Sequence, residues 1–159
     1  MKPAILIFLL FLGFILKAQE ADKDSIIVMY QLEGVTINGK VTWKKGDKIL
    51  LENLIFRGGT SFLEVTSKSL LDEFLYIMQE NPKLKIEIQG HICCYPDRTY
   101  QLSKERAQVV CEYLEDNGVS KSRLRYKDFG GRKPIYPIPE QNEEQRIANR
   151  RVEIKVLEN

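Results

Sequence analysis

The segment GHICCYPDRTYQLSKERA, Gly90 to Ala107, gathers the chain's one histidine, two adjacent cysteines and an arginine early in a helical pattern. His91, Cys93, Cys94 and the later Cys111 have donor types that suit tetrahedral zinc. No CxxC pair exists, however, and Cys111 falls on the apolar face of its helix, so the spacing assigns no metal. His91 is read as a turn residue whose ring bonds to nearby backbone. A catalytic thiol would want a second histidine or a CxxC, although Arg106 could lower a thiolate pKa. In an oxidising compartment Cys93 and Cys94 can close on each other in a small ring, or one of them can reach Cys111; both pairings stay open. Cys111 is otherwise a small buried hydrophobe. There is no GxSxG, and GGTS at Gly58 to Ser61 lacks the lysine and length of a phosphate loop. No catalytic residue and no cofactor are assigned.

Arg106 raises a sharper question. With Ser103 as helix cap, it falls at about the third helical position, where the amide dipoles are positive and a cation costs roughly 0.3 to 1 kcal/mol. Two arrangements would offset this. One is a bound carboxylate, held by the guanidinium fork and the free N–H groups of the helix start. The other is a local pair with Glu105, Asp97 or Glu87. Arg146, Asn149 and Arg150 form a second polar cluster, expected to pair with Glu143, Glu144 or Asp128.

The elements that position these residues alternate in period. Ser25 to Trp43 alternates loosely around Asn38-Gly39, a hairpin turn signal. Ile49 to Phe56 reads as a strand and RGGTS as a turn. Leu70, Leu71, Phe74, Leu75, Ile77 and Met78 form a helical stripe ending before Asn81-Pro82. In Lys83 to Gln89, Leu84, Ile86 and Ile88 share one face. A helix follows from Ser103, with Ala107, Val110, Cys111 and Leu114 on its buried side, and Asn117-Gly118 closes it. RLRYKDF is a third strand, Asn142 with Gln145 resembles a capped short helix, and Arg151 to Leu157 is a final strand. The prolines of Lys133 to Glu140 make that piece a loop. The order β-α-β-α-β-α-β implies an α+β fold, a two-layer sandwich of helices on a mixed sheet.

Met1 to Ala18 reads as an export signal: a basic start, an apolar run from Ala4 to Leu16 too short to span a bilayer, and a small residue before Gln19. The expected division is 1–18 signal, 19–47 a β segment or linker, and 48–159 the main domain. The 24 basic and 22 acidic residues become 22 and 22 once Lys2 and Lys17 leave with the signal. That balance, without a basic stripe, argues against nucleic acid as a partner. No transmembrane segment is expected after cleavage, and no cysteine follows the cut to suggest a lipid-modified N-terminus.

Gly90-His91, Leu102-Ser103 with Arg106-Ala107, Arg123-Leu124 and Asn149-Arg150-Arg151-Val152-Glu153 stand in the order of one family. From about Ile49 to Val156 the chain resembles the OmpA-like C-terminal domain, the peptidoglycan-associating module of Gram-negative envelopes. The resemblance implies a periplasmic protein, with outer-membrane association in view, that holds the diaminopimelate of the peptidoglycan stem peptide without catalysis. It gives Arg106 the carboxylate. The family's aspartate for the ammonium is replaced by Cys93, its asparagine before LS has Thr99 as nearest counterpart, and the loop between His91 and Leu102 is shortened. Asp97 could supply the missing charge, and Thr99 or Arg150 could line the cleft. The other implied reading is a divergent scaffold that binds an envelope protein or responds to redox through Cys93 and Cys94.

Overall fold

The computed structural model of the chain describes Val35 and residues 39–52, 54–94 and 100–159, with only the backbone of residue 100. The expected export segment, most of the expected β segment from Ser25 to Trp43 and the positions of Asp97 and Thr99 lie outside the described residues. All the described residues belong to one compact unit.

Among the described residues four strands build the sheet: β1 (Lys48–Leu50), β2 (Lys85–His91), β3 (Leu124–Gly130) and β4 (Val152–Glu158). Their spatial order is β1-β4-β2-β3, with β2 and β3 parallel and β4 antiparallel to both β1 and β2. Three helices intervene: α1 (Ser67–Glu80), α2 (Tyr100–Asp116) and α3 (Glu143–Asn149). The fold is α+β with a mixed four-stranded sheet, and its elements run in the expected order.

The core follows from the two periodicities. Ile86 and Ile88 of β2 and Val152, Ile154 and Val156 of β4 turn to one side, where they meet Leu71, Phe74, Ile77 and Met78 of α1 and Ala107, Val110 and Leu114 of α2. Each of these side chains larger than alanine contributes about 1.5 to 3 kcal/mol when taken out of water. Trp43, ahead of β1, lies in the same core and stacks on Phe74 with ring centroids 6.4 Å apart. The alternate positions of β2 and β4 carry polar groups, with Glu87 opposite Lys155 and Gln89 opposite Glu153.

The helix ends show why the chain stops where it does. Asn81 closes α1 by donating its side-chain amide to the carbonyls of Ile77 (2.7 Å) and Gly39 (2.6 Å). After α2, the Val119 amide reaches the Leu114 carbonyl and the Gly118 amide reaches that of Glu115, with Gly118 at φ +95°. This is the paired closure that glycine permits. Arg123 then spans the α1 exit, donating to the carbonyls of Met78, Asn81 and Leu84.

Two boundaries differ from expectation. The first strand ends at Leu50 instead of Phe56, because its partner β4 begins at Val152; the Leu51 amide takes the last carbonyl there and the chain turns. Phe56 pairs instead with Leu63 across a local turn at Gly58-Gly59. The second helix begins at Tyr100, so Ser103 is inside it and not its cap. The buried Ser103 hydroxyl accepts from the Gly130 amide at 3.1 Å. This turn lies directly on β2 because residue 90 is glycine: a Cβ there would stand 2.0 Å from the Ser103 carbonyl oxygen.

Candidate functional site

The close approach of Gly90 to Ser103 sets α2 against the carboxyl end of β2. One turn further on, Arg106 points towards the hairpin that follows β1. Its Nε donates to the Thr60 carbonyl at 3.0 Å, and its guanidinium lies 4.9 Å from the centroid of the Phe56 ring. The side chain is only 6% exposed. Burial, and next to it the charge of Arg150, hold its pKa below the ordinary arginine value, yet a guanidinium remains charged at neutral pH.

The expected dipole repulsion does not act on Arg106, because it is the seventh residue of α2 and the effect fades after the first turn. Its unusual feature is a different one. Among the described residues no carboxylate pairs with this buried cation. Glu105 accepts from Gln101 at 2.9 Å and Glu87 from Gln89 at 2.6 Å, so two of the three local partners weighed from sequence are engaged elsewhere. A buried charge is costly until a counter-ion is supplied to it.

Arg150, just past α3, brings a second guanidinium to the same place. One arm donates to Glu143 at 2.6 Å and the other reaches Cys93 Sγ at 3.5 Å. Arg146 also lies 3.6 Å from Glu143, which accounts for the polar cluster read from the sequence. Asn149 has another task. Buried completely, it accepts from the amides of Ile135 and Tyr136 and donates to the Tyr136 carbonyl and to Glu140, pinning the proline loop to α3.

Cys93 is not a free thiol. It is disulfide-bonded to Cys94, while Cys111 is free and buried, its thiol pushed up to about 12 by burial and by Glu115 and Glu112. Of the pairings left open, the vicinal one forms. Cys94 takes φ +77°, a left-handed conformation uncommon for a residue with a Cβ, and its amide donates to Glu140 at 3.1 Å. The two sulfurs and a Glu140 oxygen lie within 4.8 Å of one another. Burial pushes the Glu140 carboxyl up, but the bonds from Asn149 and the Cys94 amide and the charge of Arg146 outweigh it and keep this carboxylate below its ordinary range.

His91 also departs from expectation. Its ring is buried and stacks on Phe129 at 5.1 Å, and neither ring nitrogen has a hydrogen bond among the described residues. Burial first, then the nearby Arg151, lowers its pKa to about 4, so it is neutral at physiological pH. It belongs to the sheet and not to the cluster of arginines. Glu140 is the residue that sequence reasoning missed. Only the Asn149 bond and the Cys94 amide bring it to the end of β2, and neither leaves a mark in local spacing.

A model of the OmpA family matches residues 55–150. A probable lipoprotein of Escherichia coli K12, YiaD, is 30% identical over 120 residues, covering 70% of this chain; the chain spans about half of that relative, 52%. Among solved structures, the periplasmic domain of Helicobacter pylori MotB is similar with a TM-score of 0.63 and 23% identity, over 75% of this chain and 80% of that one. The cell wall anchor of the type VI secretion system of Pseudomonas aeruginosa is similar with a TM-score of 0.60 and 21% identity, over 70% and 80% of the two chains.

Proposed function

This chain belongs to the OmpA family, and from that premise we propose that it binds the peptidoglycan stem peptide non-covalently in the periplasm. The single observation that carries the reading is Arg106: a buried guanidinium, beside the second guanidinium of Arg150, with no carboxylate from the described part of the chain. A ligand carboxylate fits there, bonded by the remaining N–H groups of the fork. The ligand of this class is diaminopimelate, whose second feature is an ammonium.

The ammonium needs an acid on the other side of the pocket. Cys93, which stands at the family's aspartate position, is a disulfide sulfur and carries no charge. Glu140, held ionised beside it, takes that role in our reading, with Asp97 and Thr99 in the adjoining loop as further contacts. The likeness to a cell wall anchor and to the periplasmic domain of MotB supports a tethering role in the envelope, in which binding makes and breaks no covalent bond. The likeness to a probable lipoprotein supports a place in the cell envelope.

Sedimentation with insoluble peptidoglycan tests the reading. Wild type should be retained, and Arg106→Ala should lose about ten- to a hundredfold in affinity, the worth of a charge-assisted bond of roughly 1.5 to 3 kcal/mol. Equal retention of the two proteins removes the proposed site. Glu140→Gln should weaken binding to diaminopimelate-containing material and not to a stem peptide whose third residue lacks the ammonium-bearing centre.

A further inference from the structure

The vicinal disulfide is the feature that the anchoring role does not require. Cys93 and Cys94 are each half-buried, so a small reductant or a partner loop reaches them, whereas Cys111 is closed off in the core. They sit at the end of β2, bonded on both sides to the ligand cluster: Cys93 Sγ to Arg150, and the Cys94 amide to Glu140. We propose that Cys93–Cys94 is a thiol–disulfide exchange site for a dithiol, and that opening it places a thiolate against Arg150, where it competes with the ligand carboxylate. This inference rests on the reading of Arg106 and Arg150 given above.

A thiolate of the external dithiol attacks Cys94 Sγ, forming a mixed disulfide and breaking the Cys93–Cys94 bond. The electron pair leaves on Cys93 Sγ, the sulfur facing the Arg150 guanidinium, and a stabilised thiolate is the faster leaving group. The second thiol of the reductant then attacks its own sulfur in the mixed disulfide, loses its proton and releases Cys94. The dithiol is oxidised to a disulfide, and the protein gains two electrons and two protons, one of which Cys93 holds only weakly.

Three changes follow. Arg150 acquires an internal anion, so it attracts a ligand carboxylate less. The short ring no longer holds Cys94 in its left-handed conformation, which is unfavourable for a residue with a Cβ. The Cys94 amide is then free to leave Glu140, the carboxylate assigned to the ammonium. All three weaken the reduced site relative to the oxidised one. The groups facing Cys93 that set its titration are Arg150 and Glu140, with Glu143 acting through Arg150.

Two measurements decide the matter. The first is thiolate absorbance against pH after reduction with dithiothreitol, on wild type and on Arg150→Gln, each carrying Cys111→Ser. One thiol should titrate well below an ordinary cysteine, and Arg150→Gln should remove that depression; two unperturbed thiols in both proteins, or a pair that dithiothreitol fails to open, overturns the site. The second is peptidoglycan affinity of the oxidised and reduced forms, with the double variant Cys93→Ser, Cys94→Ser as a control that ignores reductant. The oxidised form should bind several-fold more tightly, and equal affinities overturn the coupling. Should neither form bind, the anchoring function fails with the coupling to it, and the titration alone decides the exchange site.

Discussion

Arg106 illustrates how a residue can be singled out for a reason that the structure replaces. The sequence placed it in the first turn of a helix, against the dipole; in the fold it lies a full turn deeper, and its difficulty is burial without a carboxylate partner among the described residues. A ligand carboxylate would answer that difficulty. A consequence is that charge alone does not define this side chain. Arg106→Lys keeps the charge and loses the Nε bond to Thr60, the planar contact with Phe56 and the two-pronged grip on a carboxylate. We expect it to bind peptidoglycan at least about tenfold more weakly than wild type while melting within a few degrees of it, as read by sedimentation and thermal unfolding. Binding at wild-type strength would mean that a point charge suffices. Glu140 was not legible at this scale, since nothing in KPIYPIPE announces that its last residue will meet a backbone amide 46 positions earlier.

At the scale of elements, most of the order was legible because the hydrophobic period changes plainly from strand to helix and back. The boundaries were not, and each failure has a tertiary cause. β1 stops where β4 has no more backbone to offer, and α2 starts early because a glycine on β2 lets its first turns settle on the sheet. Serine before a helical stripe is a sound cap signal, yet Ser103 is needed for the Gly130 amide. The glycine contact gives a firm expectation. Gly90→Ala sets a methyl group 2.0 Å from a backbone oxygen that cannot rotate away, so α2 must lift from β2. Overpacking of this kind typically costs about 1 to 3 kcal/mol, and here we expect the upper end or more, measured as a drop in the urea midpoint. Because Arg106 is carried by the same helix, ligand affinity should fall with it. An unchanged midpoint would show that the contact yields more easily than a backbone should.

At the scale of the whole molecule, two groups with opposite signs shape stability against pH. His91 has its pKa lowered from 6.5 to about 4 by burial, so the folded state resists its protonation; the stability it lends above pH 6.5 is lost as pH falls towards 4, roughly 3 kcal/mol in linkage terms. Glu73 on α1 has its pKa raised from 4.5 to about 7 by burial and keeps a buried oxygen without a hydrogen bond among the described residues. Its folded form prefers the proton, so it favours folding in acid and loses that contribution as pH rises from 4.5 through 7. Between pH 7 and 4.5 the two oppose each other. Denaturant unfolding at both values should find His91→Phe losing less stability on acidification than wild type, and Glu73→Gln losing more; parallel behaviour of all three proteins would contradict the assignment. Topology has a consequence of its own. The chain enters the sheet where the Gly46 amide and Asp47 carbonyl bond to Val156, whereas Cys93, Arg150 and the start of β4 gather at the other end, about 13 Å along that strand. Tension applied between these two poles would therefore run along β1 and β4, straining their crosswise hydrogen bonds together in shear instead of unzipping them singly.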